Sequence, residues 1–249
     1  MKTGLIAAIV TFGFVTATYA GDSIGRNGAP SAGWSGVYVG INGGYGWSAN
    51  EGAIYAFFPS EPTPLRPIAA TLNTKGGFGG VQLGYNRQVR DFVLGIEADI
   101  QGANISSYGA GPTPFIFLNE NVTGNLKVDA FGTVRGRLGY VFNNILIYAT
   151  GGAAAGRANF ALSYSNATEF GALSQQSLLT GWVIGGGLEQ MISANWSLKA
   201  EYQRINLGDI RVAGTVPVTC SVTPCPLTSS QNINFNNARI GLNYRFGAY

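Results

Sequence analysis

The segment from Asn237 to Phe246 constrains this chain more tightly than any other. Its even positions are Ala238, Ile240, Leu242, Tyr244 and Phe246, and its odd ones are Asn237, Arg239, Gly241, Asn243 and Arg245. Alternation at period two gives a strand with one apolar and one polar face. Its length is also close to the ~9 to 11 residues that a tilted strand needs to cross a bilayer. With the faces exchanged, Arg239 and Arg245 would meet hydrocarbon at about 2 to 4 kcal/mol each near the midplane. The pattern therefore predicts a strand whose apolar face lies on lipid and whose arginines point inward.

Seven further segments repeat the pattern. In the first, about 36 to 47, Val37, Val39, Ile41 and Tyr45 oppose Gly40, Asn42, Gly44 and Gly46. In the second, about 77 to 88, Val81, Leu83 and Tyr85 oppose Gln82, Gly84 and Asn86. The third alternates Phe92, Leu94, Ile96, Ala98 and Ile100 with Gly95, Glu97, Asp99 and Gln101. The fourth sets Leu126, Val128, Ala130, Val134, Leu138 and Tyr140 against Lys127, Asp129, Thr133, Arg135 and Arg137. The fifth, about 145 to 157, is apolar or small on both sides and leaves its register open. In the sixth, Trp182, Ile184 and Leu188 oppose Gly181, Gly185, Gly187 and Glu189. The seventh sets Trp196, Leu198, Ala200 and Tyr202 against Lys199, Glu201 and Gln203.

The connections alternate in length. Residues 89–91, 142–144 and 191–195 read as tight turns, and 48–75, 103–124, 158–177 and 208–235 as long loops. Short turns on one rim and long loops on the other are the habit of bacterial outer-membrane barrels, with the short side periplasmic. The expected fold is all-β: an eight-stranded antiparallel up-and-down transmembrane barrel with four long extracellular loops. Trp34, Trp47, Trp182, Trp196, Tyr140 and Tyr244 fall near strand ends, where aromatic girdles belong.

Composition supports lipid rather than water as the outer solvent. Charged residues make up 11% of the chain, against about 25% in ordinary soluble domains. A soluble lipocalin-like barrel, the main alternative for this strand count, would turn its charges outward. The opening Lys2, the uncharged run from Gly4 to Val15 and the small-residue stretch Ala17-Thr18-Tyr19-Ala20 read as a signal peptide spanning 1–20. A retained anchor is the alternative. Residues 21–33 read as a periplasmic lead-in and 34–249 as the barrel.

On this reading the lumen holds Glu97, Asp99, Asp129, Glu189 and Glu201 facing Lys127, Lys199, Arg135, Arg137, Arg239 and Arg245. Buried charges without partners cost several kcal/mol, so near balance is what a closed interior requires. Inward glycines at 40, 44, 84, 95, 185, 187 and 241 make room for these larger side chains. Cys220 and Cys225, six residues apart inclusive of both ends in an exported chain, suggest a disulfide clipping the last long loop. A zinc site would need further Cys or His, and the chain has no histidine. That absence also rules out Ser-His-Asp and Cys-His catalysis. Net charge is +3, too slight to suggest a nucleic-acid partner. The residues require no cofactor, and no enzyme is expected.

The segment Trp34-Ser35-Gly36-Val37-Tyr38-Val39-Gly40-Ile41-Asn42-Gly43-Gly44-Tyr45-Gly46-Trp47 resembles the opening strand of the small OmpA-type porin-family and surface-antigen barrels of alphaproteobacteria. Residues 146–152, 185–189 and 241–246 are similar to later strands of that family. The resemblance implies a cell-surface barrel in the outer membrane that contributes to envelope integrity. It also implies outer-membrane lipid and the assembly machinery as partners, with Tyr244 and Phe246 as the terminal assembly signal. Here Gly247, Ala248 and Tyr249 follow the aromatic residue at which the family usually stops. Two other functions stay open: a narrow porin-like channel, and surface ligand binding or adhesion through the loops. Some relatives bind haem, for which Tyr55, Tyr108 and Tyr164 are the candidates here; Phe57-Phe58 and Phe115 to Leu118 are candidate adhesive patches.

Overall fold

The computed structural model describes residues 33–49, 52–57, 66–112, 121–165, 170–216 and 225–246. The predicted signal peptide, nearly all of the lead-in, Cys220, residues 113–120 and residues 247–249 lie outside this set. Nothing is described of the Cys225 side chain, so the proposed disulfide lies outside it too.

The described strands are β1 (Gly36–Ser48), β2 (Gly52–Phe57), β3 (Arg66–Leu72), β4 (Lys75–Val89), β5 (Phe92–Pro112), β6 (Asn121–Phe142), β7 (Ile145–Ser165), β8 (Phe170–Met191), β9 (Trp196–Val216) and β10 (Cys225–Arg245). Eight of them pair antiparallel in the order β1-β4-β5-β6-β7-β8-β9-β10, and β1 with β10 closes the ring. The hairpin β2–β3 extends the sheet from the upper part of β10.

Closure fixes the tilt. Trp47 pairs Asn236, and the row continues through Arg204, Ile184, Gly151, Gly136, Ile96 and Tyr85 to Val37. One circuit thus returns to β1 ten residues lower. With a rise of ~3.3 Å per residue and ~4.8 Å between strands, that stagger tilts the strands by about 40°. Ten residues then stand about 25 Å tall, the height of an outer-membrane barrel's apolar band.

Outward side chains mark this band. Ile41, Val81, Leu83, Leu94, Ile96, Ile100, Val134, Leu138, Ile147, Ile184, Leu188 and Ile240 are all exposed on the barrel wall. Aromatic rings bound it on both sides. Trp47 and Tyr202 pack at 6.0 Å near its upper edge. Phe92–Tyr140, Trp196–Tyr244 and Tyr244–Phe246 make edge-on pairs near the lower one.

The strands run much farther than the alternation suggested. Residues 103–112, 121–124, 158–165, 170–177, 208–216 and 225–235, read from sequence as loop, continue the sheet. A strand of 21 residues stands about 50 Å tall at this tilt, so roughly half of each long strand rises above the membrane. There the pattern inverts. Ile105, Leu126, Val128, Phe160, Leu162, Ile210, Val212, Ile233 and Phe235 face the interior, and Lys127, Arg157, Asp209 and Arg211 face out. The sheet passes from lipid into water, and its outer face follows the solvent.

Two β-bulges carry this inversion on individual strands. On β6 the pairing with β7 steps from Val128↔Ala158 to Ala130↔Arg157, leaving Asp129 as an extra residue. On β9 the pairing with β10 steps from Asn206↔Asn234 to Gly208↔Ile233, where Gly208 adopts a φ of 83°. An unpaired residue shifts the alternation by one, and every side chain beyond it changes face. Strands without a bulge, such as β7, change the chemistry of the inward residue instead, from Thr150 to Phe160.

Candidate functional site: the lumenal charge layer

The membrane-spanning half of the ring encloses a continuous ionic network. Arg135 on β6 lies at its centre, donating to Glu97, Asp99 and Glu201 from three different directions. The Arg135 Nη2 to Asp99 Oδ2 separation is 2.8 Å. Arg239 on β10 reaches the same three carboxylates, at 3.1 Å to Asp99, 3.0 Å to Glu201 and 3.3 Å to Glu97. Lys199 on β9 bridges Glu97 at 2.9 Å and Glu201 at 3.4 Å. Every one of these side chains is buried.

A second pair lies two residues farther along β6, toward the periplasm. Arg137 donates to Glu189, whose Oε1 also accepts from Asn243 Nδ2 at 2.8 Å. Two tyrosines join the pair to the first cluster. Tyr38 donates its hydroxyl to Glu97 at 2.7 Å and accepts from Arg137 at 3.4 Å. Tyr148 donates to Glu201 at 2.7 Å, while the Arg137 guanidinium sits 3.7 Å from its ring centroid. The network thus sets Glu97, Asp99, Glu189 and Glu201 against Arg135, Arg137, Lys199 and Arg239, four charges of each sign. Neutrality and multiple hydrogen bonds are what make so many desolvated ions tolerable.

Local sequence explains the crowding. The Tyr38 side chain can lie flat along the lumen wall because its paired neighbour on β4 is Gly84. A Cβ there would come within 2.3 Å of the Tyr38 ring, which crosses over it.

Apolar layers lie above and below. Toward the cell exterior, Phe78, Phe131, Phe235 and Ile205 begin the buried core of the upper barrel, with Phe131 edge-on to both other rings at 5.3 and 5.5 Å. Toward the periplasm, Trp34, Val93, Leu146 and Tyr148 form a smaller cluster. Arg245 belongs to this lower rim. It donates to the Gly33 carbonyl and holds its guanidinium 4.9 Å from the Trp34 ring.

Two of the lumenal charges expected from sequence require correction. Lys127 and Asp129 are on the outer face above the membrane, paired with each other at 2.9 Å, because the bulge at Asp129 reverses the parity assumed for β6. Tyr38 and Tyr148 were missing from the expected set. Tyr38 shares parity with Asn42 and so could have been found; Tyr148 lies on the strand whose two faces could not be distinguished. Of the haem candidates, Tyr108 is 67% exposed on the outer face of β5; the side chains of Tyr55 and Tyr164 lie outside the described residues, as do those of the two apolar patches. Tyr244 and Phe246 lie at the periplasmic rim on the lipid side.

This geometry agrees with what the sequence matches. Residues 6–246 fit the family model described as outer membrane protein beta-barrel domain. The chain belongs to this family. Among related proteins of the family, the 31 kDa outer-membrane immunogenic protein of Brucella melitensis biotype 1 is 34% identical, over 99% of this chain and 100% of its own length. The 22 kDa outer membrane protein of Rhizobium leguminosarum bv. viciae is 28% identical over 70% of this chain and 64% of that one. Among solved structures, OprG from Pseudomonas aeruginosa aligns with 85% of this chain and 96% of its own, at a TM-score of 0.50 and 8% identity. That likeness is one of fold. As an outer-membrane β-barrel of this family, the protein resides in the bacterial outer membrane, with its charge layer at the depth of the lipid tails.

Proposed function

We propose that this protein is a sealed, surface-exposed structural barrel that contributes to envelope integrity and neither catalyses a reaction nor conducts solutes. The observation that carries this reading is the interlocked charge layer. Four acids and four bases drawn from β5, β6, β8, β9 and β10 bridge the lumen, and no one of them can move aside without stranding its partners. The apolar layers on either side exclude the water that a permeating ion would need. Surface exposure is consistent with the long strands above the membrane, and the Brucella relative is named as an immunogen.

Conductance tests the reading. Purified, refolded protein added to a planar lipid bilayer at neutral pH is expected to insert without discrete current steps. Reproducible steps of uniform size would show an open lumen and favour the channel alternative.

A further inference from the structure

The glycines of this barrel answer to two different demands. At Gly40, Gly80, Gly84 and Gly152 a Cβ would collide with neighbouring atoms at 2.3 Å or less, so packing requires glycine. At Gly43, Gly79 and Gly102 the nearest atoms to such a Cβ lie at 3.6, 3.6 and 3.9 Å, ordinary van der Waals contact that an alanine tolerates. Packing within the wall does not explain these three.

They share one row. Gly43 pairs Gly79, Gly79 pairs Gly102, and Gly102 pairs Ala130, across β1, β4, β5 and β6. All point outward, in the upper part of the apolar band. The outward row just below it on the same three strands carries Ile41, Val81 and Ile100, all exposed, so the glycine row leaves a shallow trough open to the outer leaflet.

A basic arc stands directly above the trough. Lys75 pairs Ser106, and Ser106 pairs Lys127, so the two lysines occupy one rung, about 10 Å apart across two strand spacings. Arg157 lies on the neighbouring strand, opposite Ala130 at the end of the glycine row. All three are exposed. Asp129 is the one acid on the outward faces of β4 to β7 among the described residues. It pairs with Lys127 and accepts from Asn159, leaving the arc with a net charge of +2. The arc sits where the wall changes from apolar-out to polar-out, the level of the lipid headgroups.

We infer that this face is a binding site for an anionic outer-leaflet glycolipid, its head phosphates held by Lys75, Lys127 and Arg157 and its acyl chains lying in the glycine trough. Phosphate suits the arc because lysine and arginine both donate several charge-assisted hydrogen bonds to it. A trough below a cationic rim fits a molecule with an anionic head and several saturated chains, whereas a free phosphate would have no use for the trough.

The test is lipid retention by the barrel in phosphatidylcholine nanodiscs doped with bisphosphorylated lipid A or its dephosphorylated form, read by native mass spectrometry. Wild-type protein is expected to retain the phosphorylated lipid and lose the other. In the variant Lys75→Gln, Lys127→Gln, Arg157→Gln, retention of the phosphorylated form should weaken by about 100-fold, since each basic side chain near an anionic lipid surface contributes about fivefold. Gly79→Leu should weaken it with the basic arc intact. Heat-modifiable gel mobility establishes that each variant is folded; for a variant that fails, the comparison of the two lipids on wild-type protein decides. Equal retention of both lipids by wild type, or undiminished retention by the folded triple variant, overturns the site.

Discussion

Replacing Arg135 with methionine is expected to destabilise the barrel by about 3 to 5 kcal/mol, the range seen when one member of a buried ionic cluster is removed. The residue touches Glu97, Asp99 and Glu201 together, and the remaining Lys199 and Arg239 leave four carboxylates facing three bases once Arg137 is counted. The excess charge stays buried at mid-membrane depth, where water reaches it only by opening the lumen. Denaturant unfolding in lipid vesicles, followed by tryptophan fluorescence, measures the loss. The double variant Arg135→Met, Glu201→Gln restores neutrality, so its cost should fall short of the sum of the single costs by about 0.5 to 3 kcal/mol. Strict additivity, or an Arg135→Met cost within about 0.5 kcal/mol of zero, would mean that the network contributes little.

Val128→Asp should be comparably severe, at several kcal/mol, because it places an unpaired charge inside the upper core. Val128 is 0% exposed and belongs to the cluster that includes Leu126, Phe131 and Phe160. Its neighbour Lys127 is on the outside, and Lys127→Val should change stability by no more than about 0.5 kcal/mol. Unbroken alternation along β6 would reverse this ranking, with Val128 outside and Lys127 within. The same unfolding measurement on both variants distinguishes the two arrangements, and a tolerated Val128→Asp would remove the bulge from the account.

The difference between those two arrangements is also where the sequence was hardest to read. From Arg135 to Tyr140 on β6, and along β4, the lower β5, β9 and β10, outer and inner faces follow directly from alternation, because a lipid-facing wall allows few polar residues and a narrow lumen few large apolar ones. The charges Glu97, Asp99, Glu189, Lys199, Glu201 and Arg239 are legible for the same reason. The break at Ala130-Phe131, two apolar residues in succession, is the only local sign that β6 contains an extra residue. Above it, Leu126 and Val128 alternate as cleanly as before but for the opposite reason, burial from water rather than exposure to lipid. Period two alone does not distinguish these solvents. For that reason the upper strands read as loops, and Lys127 and Asp129 as lumenal. Tyr148 was hidden differently: Leu146 to Gly156 is apolar or small on both faces, and only the neighbouring strands fix which side is inner.

The central claim is that one continuous sheet faces lipid below the bulges and water above them, with its interior reversing in step. Nitroxide labels introduced singly along β6, in a background with Cys220 and Cys225 changed to serine, test it most directly. In liposomes, labels at Val134 and Leu138 should be relaxed by oxygen and shielded from a water-soluble nickel complex, those at Asn125 and Lys127 should show the reverse, and one at Val128 should be shielded from both. Oxygen-dominated relaxation at Val128, together with a Lys127 label hidden from the nickel complex, would contradict the account.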